Sequence, residues 1–321
     1  MNTSLLCETV TGETLAELTR ARDAADAADL VELRLDGVSD LDVAGALAGR
    51  RTPVIVTCRP TWEGGRFDAS EAERQAVLQR ALDLGADYVD VEWKAGFDTL
   101  IAAHHDRVIV SSHDFTGVPA DLSSRVHAMR ETGAAVIKVA VTAARLTDTL
   151  PLVDIATGND AVVIGMGDAG VCSRLLAARF GSRWTYAGNA VAPGQVPARR
   201  MLEQFRFRDI GPDTSIFAVV GDNVLRSPST AMHNAAFAAA GIDAVCVPLR
   251  AADFTDFLTF ADAMSVVDGY LEGFDSLPTL IARAERQFEW WTGEPPPAGV
   301  MREAASNETG HGDTETRSQH G

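Results

Sequence analysis

The chain has 321 residues, 46% of them hydrophobic, and a formal net charge of −17 at pH 7. That length suits one large α/β domain with room for a smaller module, and the acidic balance disfavours nucleic acid or anionic membrane as partners. No apolar run is long enough to span a membrane, and "MNTSLLCETV" lacks a basic region followed by a long apolar one, so no signal peptide is expected.

Strand-like runs rich in β-branched residues recur from the start: 5–10 (LLCETV), 30–36 (LVELRLD), 53–59 (PVIVTCR) and 88–93 (YVDVEW). They continue at 107–113 (RVIVSSH), 135–142 (AVIKVAVT), 161–167 (AVVIGMG) and 184–188 (WTYAG). Helical patterns fill the gaps. In "SEAERQAVLQRALDLG", Ser70 opens a Ser-x-x-Glu capping box and Gly85 is a stop. Eight strand–helix units in this length predict a closed (β/α)8 TIM barrel over residues 1–210. The rival, an open doubly wound sheet, would need a Gly-rich first turn that "TVTGET" does not supply.

Residues 207–214 (FRDIGPDT) read as a linker to a small α/β module over 215–302. That module has a strand "SIFAVVG", a helix around "PSTAMHNAAFAAAG" and a strand "AVCVPL". A helical stretch then runs from about 265 to "ERQFEWWTGEPPP". The polar segment 303–321 reads as a disordered tail. No fixed-period repeat is present. Cys7, Cys58, Cys172 and Cys246 lie far apart with no C-x-x-C, which argues for reduced thiols, a cytoplasmic setting and no zinc site.

Strand parity identifies the chemistry. If Val31, Leu33 and Leu35 face the helices, Glu32, Arg34 and Asp36 point into the barrel. The same alternation turns inward Thr57 and Arg59, Asp90 and Glu92, Ser111 and His113, and Val136, Lys138 and Ala140. A barrel built for stability alone fills its interior with branched apolar side chains, and buried charges cost several kcal/mol unless paired. This collection therefore suggests a function, the alternative being a fortuitous ion network. His113 ends its strand, on the face that carries catalysis in such barrels, whereas His104 and His105 precede the strand and are expected at the surface.

Lys94 and Lys138 are the only lysines. Lys94 falls just past a strand and reads as a surface residue. A buried amine flanked by cationic arginines loses proton affinity and becomes a nucleophile toward a ketone or aldehyde. Arginine cannot form that imine. The alternative is a lysine whose head pairs with Glu32 or Glu92.

The stretches "ELRLD" (32–36), "TCRPTWEGGRF" (57–67), "SSHDF" (111–115), "IKVA" (137–140), "GMGDAGVCSRL" (165–175) and "APGQVPA" (192–198) together resemble type I 3-dehydroquinate dehydratase of the shikimate pathway. The resemblance implies syn-elimination of water from 3-dehydroquinate without metal or cofactor, often in a homodimer. It makes Lys138 the Schiff-base residue, His113 the proton-transfer group and Glu63 the partner that orients and charge-tunes His113. Arg174 would grip the substrate carboxylate with a bidentate fork. Glu32, Arg34 and Arg59 would bind the ring hydroxyls, Met166 would line the pocket, and Gln195 would sit on a closing loop. Val191 stands where the family often has a serine, which removes one hydroxyl contact.

The second module is similar to the substrate-binding part of shikimate dehydrogenase. "VVGDNVLRSPSTAMHNAAFAAAG" carries its Ser-x-Ser pair as Ser227 and Ser229, and "AERQFEWWTGEPPPAGVMREAA" resembles its C-terminal helix. No lysine follows Lys138 and no G-x-G-x-x-G follows a strand, so dehydrogenase activity is expected to be absent. The segment near 260–270 resembles an internal deletion. Binding of shikimate at Ser227 and Ser229 and a purely structural or dimerising role both remain open. Two rivals stand beside the dehydratase: a shikimate-binding sensor built on an inactive barrel, and another class I Schiff-base aldolase.

Overall fold

The structure is a computed structural model. It describes residues 4–315 apart from 157, 159, 190, 191, 212 and 272–275. The chain divides into two compact units, the first comprising Ser4–Ala144 and Pro151–Ala198, the second Arg145–Leu150 and the chain from Arg199 onward.

The first unit is a parallel eight-stranded barrel. Its strands are β1 (Leu5–Val10), β2 (Leu30–Arg34), β3 (Val54–Thr57) and β4 (Tyr88–Glu92), followed by β5 (Val108–Asp114), β6 (Val136–Thr142), β7 (Ala161–Met166) and β8 (Trp184–Gly188). They pair in the order β7-β6-β5-β4-β3-β2-β1-β8. The ring is nearly closed. Among the described residues β7 and β8 share no ladder, but the Arg183 N–H donates to Ala161 O at 2.9 Å and Ser182 Oγ accepts the Val163 N–H at 3.1 Å. Each strand falls within two residues of its predicted position, because short β-branched runs between capped helices leave little choice of register. Helix Glu71–Asp83 begins with the expected capping box of Ser70 and Glu73.

Register stacks the inward side chains in layers. At the floor, Leu30, Ile55, Ile109, Val136, Val162 and Trp184 form an apolar plug. One inward position further along each strand, Glu32, Thr57, Asp90, Ser111 and Lys138 are all buried. Each of them has a partner inside the barrel, which offsets the cost of burying charge. Of the two histidines before β5, His105 is exposed. His104 is half-buried, with ring nitrogens 3.1 Å from Gln79 Nε2 and 3.2 Å from Arg107 Nη2. Lys94 is exposed, as predicted.

The second unit is built on a parallel three-stranded sheet, β9 (Ser215–Val220), β10 (Ala244–Leu249) and β11 (Val266–Leu271), in the order β10-β9-β11. Helix Ser229–Ala240 lies where the sequence pattern predicts it. Two features differ from expectation. Residues 266–271 are a strand, not part of a helical stretch, and they pair with β9. Residues 303–315, expected in a disordered tail, continue the helix Val300–Glu315. Met301 and Ala305 of that helix are buried in a core with Phe217, Phe237, Ile281 and Phe288, so two apolar contacts a turn apart hold a segment whose composition is otherwise polar. Residues 316–321 lie outside the described residues.

Candidate active site

The pocket lies at the C-terminal ends of the barrel strands and opens to solvent. Lys138, His113, Glu63, Glu32, Arg34, Arg59, Met166, Arg174 and Gln195, the nine barrel residues to which the resemblance gives a role, line it.

Lys138 comes from the middle of β6 and is 4% exposed. Its Nζ donates to Glu32 Oε1 at 3.2 Å and to Asp90 Oδ2 at 3.0 Å, and lies 4.0 Å from the centroid of the Tyr186 ring. The groups in contact with the amine are thus two carboxylates and an aromatic face, not the arginines anticipated from the sequence. Glu32 also accepts the hydroxyls of Thr9 at 2.9 Å and Thr57 at 2.8 Å. Burial alone would raise its pKa, but Lys138 and Arg34 outweigh burial and hold it low. Asp90 behaves likewise: burial opposes its charge, and Arg59 and Lys138 prevail, keeping it ionised.

Arg59 follows β3. Its Nη1 donates to Glu92 Oε1 at 2.6 Å and Ser111 Oγ at 2.9 Å, and lies 3.1 Å from Asp90. Arg34 forms a fork with Asp36, Nε to Oδ1 and Nη2 to Oδ2, each 2.9 Å. Both arginines therefore enter the pocket with protein carboxylates already engaged.

His113, near the end of β5, meets Glu63 twice. Its backbone N–H donates to Glu63 Oε1 at 2.9 Å, and its Nδ1 lies 3.0 Å from the same oxygen. Glu63 sits in the short turn Thr61–Glu63, ended by Gly64 at φ 78°. A side chain at Gly65 would collide with Arg59 O, its Cβ falling at 2.1 Å, so the "EGG" turn needs both glycines. Burial lifts Glu63 to a pKa of about 7 against the pull of Arg59. Burial, then Arg59 and Lys138, push His113 well below the ordinary histidine range. Phe115 stacks on the imidazole, ring centroids 6.3 Å apart.

Arg174 is 1% exposed. Its Nη1 donates to Tyr186 O at 3.0 Å, while its Nε has no hydrogen-bond partner among the described residues. Burial brings its pKa down to about 10. Gln195 Oε1 accepts the Ala192 N–H at 3.0 Å, and its Nε2 lies 3.4 Å from Thr9 Oγ1. Val191 lies outside the described residues.

Sequence reasoning turned Asp90 inward but gave it no role, and it missed Tyr186, Thr9 and Phe115. Asp90 was visible in the alternation of "YVDVE", and Tyr186 shares inward parity with Trp184 on β8. Ser227 and Ser229 belong to the second unit. Ser229 is fully buried, and its N–H donates to Ser227 Oγ at 3.0 Å, so the pair shapes the start of helix Ser229–Ala240.

Comparison with known proteins places this geometry. The family model described as type I 3-dehydroquinase matches residues 6–212, and that of the shikimate 5'-dehydrogenase C-terminal domain matches 284–305. A bifunctional 3-dehydroquinate dehydratase/shikimate dehydrogenase from Arabidopsis thaliana is 34% identical over 80% of this chain, which spans only 46% of that relative's length. A 3-dehydroquinate dehydratase from Methanothermobacter thermautotrophicus is 36% identical over 65% of this chain and all of its own. One from Lactococcus lactis subsp. cremoris is 35% identical over 55% of this chain and 83% of its own. Among solved structures, 3-dehydroquinate dehydratase from Geobacillus kaustophilus superposes with a TM-score of 0.56 at 27% identity, covering 62% of this chain and 90% of that one. The pocket with its buried lysine and histidine–glutamate pair, and a family match across the whole barrel, give one conclusion: the chain belongs to the type I 3-dehydroquinase family and carries a C-terminal fragment like that of shikimate dehydrogenase.

Proposed function

We propose that the barrel dehydrates 3-dehydroquinate to 3-dehydroshikimate through an imine on Lys138. The observation that carries this is the convergence on one pocket of a buried amine, a histidine–carboxylate pair and an arginine whose Nε has no partner among the described residues. The amine attacks the substrate ketone and expels water, giving an iminium that draws electrons from the adjacent carbon. His113 takes the proton from that carbon through Nε2, since Glu63 engages Nδ1. The electron pair then expels the β-hydroxyl, which leaves as water with the proton His113 returns. Hydrolysis of the imine restores Lys138. Arg174, buried and short of one partner, fits the substrate carboxylate, and Gln195 and Met166 complete the enclosure. Glu32, Arg34 and Arg59, tied to protein partners, present a rigid polar wall to the ring hydroxyls.

For the second unit we propose no hydride transfer, supported by the absence of any lysine after Lys138 and of a dinucleotide-binding glycine motif. Four buried free thiols support a reducing, cytoplasmic setting, and family habit supports a homodimer. Turnover of dehydroquinate, followed by the enone absorbance of the product, tests the main reading. The wild-type chain should turn over and Lys138→Arg should not. Shikimate with NADP should give no reduced cofactor. A silent wild-type barrel that binds shikimate would replace the enzyme with a sensor.

A further inference from the structure

Arg74 is a buried charge that the proposed elimination does not use. It belongs to helix Glu71–Asp83, yet its side chain is fully buried. Its Nη1 ion-pairs with Glu92 at the end of β4. Its Nε and Nη2 both donate to Glu71 Oε2, at 2.9 and 2.6 Å. The guanidinium lies 4.7 Å from the Phe97 ring centroid and 5.9 Å from that of Trp62. The other oxygen of Glu71 accepts the Trp62 indole N–H at 3.0 Å. Trp62 is 48% exposed, so its one polar atom is directed to the helix although water is within reach.

Trp62 immediately precedes Glu63. The base of their loop is fixed independently: Thr61 N–H donates to Phe67 O and Phe67 N–H to Arg59 O, both at 3.0 Å. Asp36 accepts the N–H groups of Arg59 at 3.2 Å and Arg66 at 3.1 Å. Its tip, which carries Glu63, is held by Trp62 on Glu71, and Glu71 is held by Arg74 against Glu92. One carboxylate oxygen that must meet two nitrogens of His113 tolerates displacements of only about half an ångström, so the tip needs such an anchor.

We propose that Glu71 and Arg74, acting through Trp62, are positioning residues that hold the Thr61–Glu63 turn so that Glu63 engages His113. This rests on the reading of His113 and Glu63 as the proton-transfer pair. The groups facing Glu63 are His113 on β5, Arg59 after β3, and Asp90 and Glu92 on β4. Burial is the dominant reason that Glu63 titrates high. A loosened turn admits water to the carboxylate, and its midpoint falls toward the ordinary range.

The test uses the full chain with Glu71→Ala, Glu71→Gln and Trp62→Phe. The ¹⁵N shifts of the His113 ring are followed against pH without substrate, and kcat and KM are measured with dehydroquinate. The wild-type midpoint is expected near 7. Glu71→Ala should lower it by about half a unit or more and reduce kcat about tenfold with KM within about twofold. Trp62→Phe should move both in the same direction by less, without threatening the fold at that exposed site. Glu71→Gln, which keeps an acceptor for the indole, should lie nearer wild type than Glu71→Ala. Wild-type midpoints in Glu71→Ala and Trp62→Phe overturn the proposal, even if kcat falls. Shifted midpoints in the variants, together with a wild-type chain that does not turn over dehydroquinate, would support the anchor and sink the proposed activity instead.

Discussion

Glu63 and His113 set each other's proton. Below a pH of about 7 Glu63 is protonated; its O–H then donates to Nδ1, and the ring's own proton sits on Nε2, which removes the proposed base. Above that pH the carboxylate accepts Nδ1–H and leaves the Nε2 lone pair free. The kcat/KM of the wild type should therefore rise with pH through about 7. Glu63→Gln deletes the titrating carboxylate, leaving a His113 that burial, Arg59 and Lys138 hold well below the usual range. Its activity should drop roughly 10- to 100-fold, and the remaining limb should move to lower pH. A limb that stays in place would show that another group controls it. Parity made Lys138 and His113 legible as inward residues. Of the two carboxylates that the amine meets, the sequence offered Glu32 as a partner but not Asp90. The ladder sets Lys138 beside Ser111 and Ser111 beside Glu92, yet the amine reaches Asp90. Strand tilt in a barrel brings the residue two positions earlier, two strands away, to the same height. Alternation in a sequence sets the face of a strand but not that shear.

At the level of elements, the barrel strands were readable because each is a short β-branched run bounded by helix caps. In the second unit, β11 was not. It follows helix Phe254–Met264 with only Ser265 between, and its "VVDGYL" contains a glycine that weakens the strand signal. Packing explains that glycine: a Cβ at Gly269 would lie 2.7 Å from Phe257 Cζ. The outer edge of β10 has its own device. Asn234 Nδ2 donates to Gln204 O and Cys246 O at 2.9 Å each, and its Oδ1 accepts Cys246 N–H at 2.7 Å. This buried amide thus caps the edge of the sheet. Asn234→Ala should cost about 2–4 kcal/mol by leaving buried backbone groups unpaired. Thermal unfolding of that variant checks this, and an unchanged midpoint would show that the three bonds are replaceable.

For the whole molecule, the order of elements and the spacing of the motifs specified a barrel followed by a small α/β unit, and the family matches fall on both parts. The stretch 284–305 likened to a dehydrogenase C-terminal helix is in fact the end of helix Leu277–Thr292, a turn, and the start of helix Val300–Glu315. Composition alone misplaced residues 303–315 in a disordered tail, because a helix held by Met301 and Ala305 needs little other apolar surface. The elimination proposed for the barrel turns on Lys138, the single buried lysine, as its covalent centre. Borohydride reduction in the presence of dehydroquinate, followed by peptide mass mapping, tests that role most directly. An adduct is expected on the peptide containing Lys138, and none in Lys138→Arg. An adduct elsewhere, or no adduct together with retained turnover in Lys138→Arg, would contradict it.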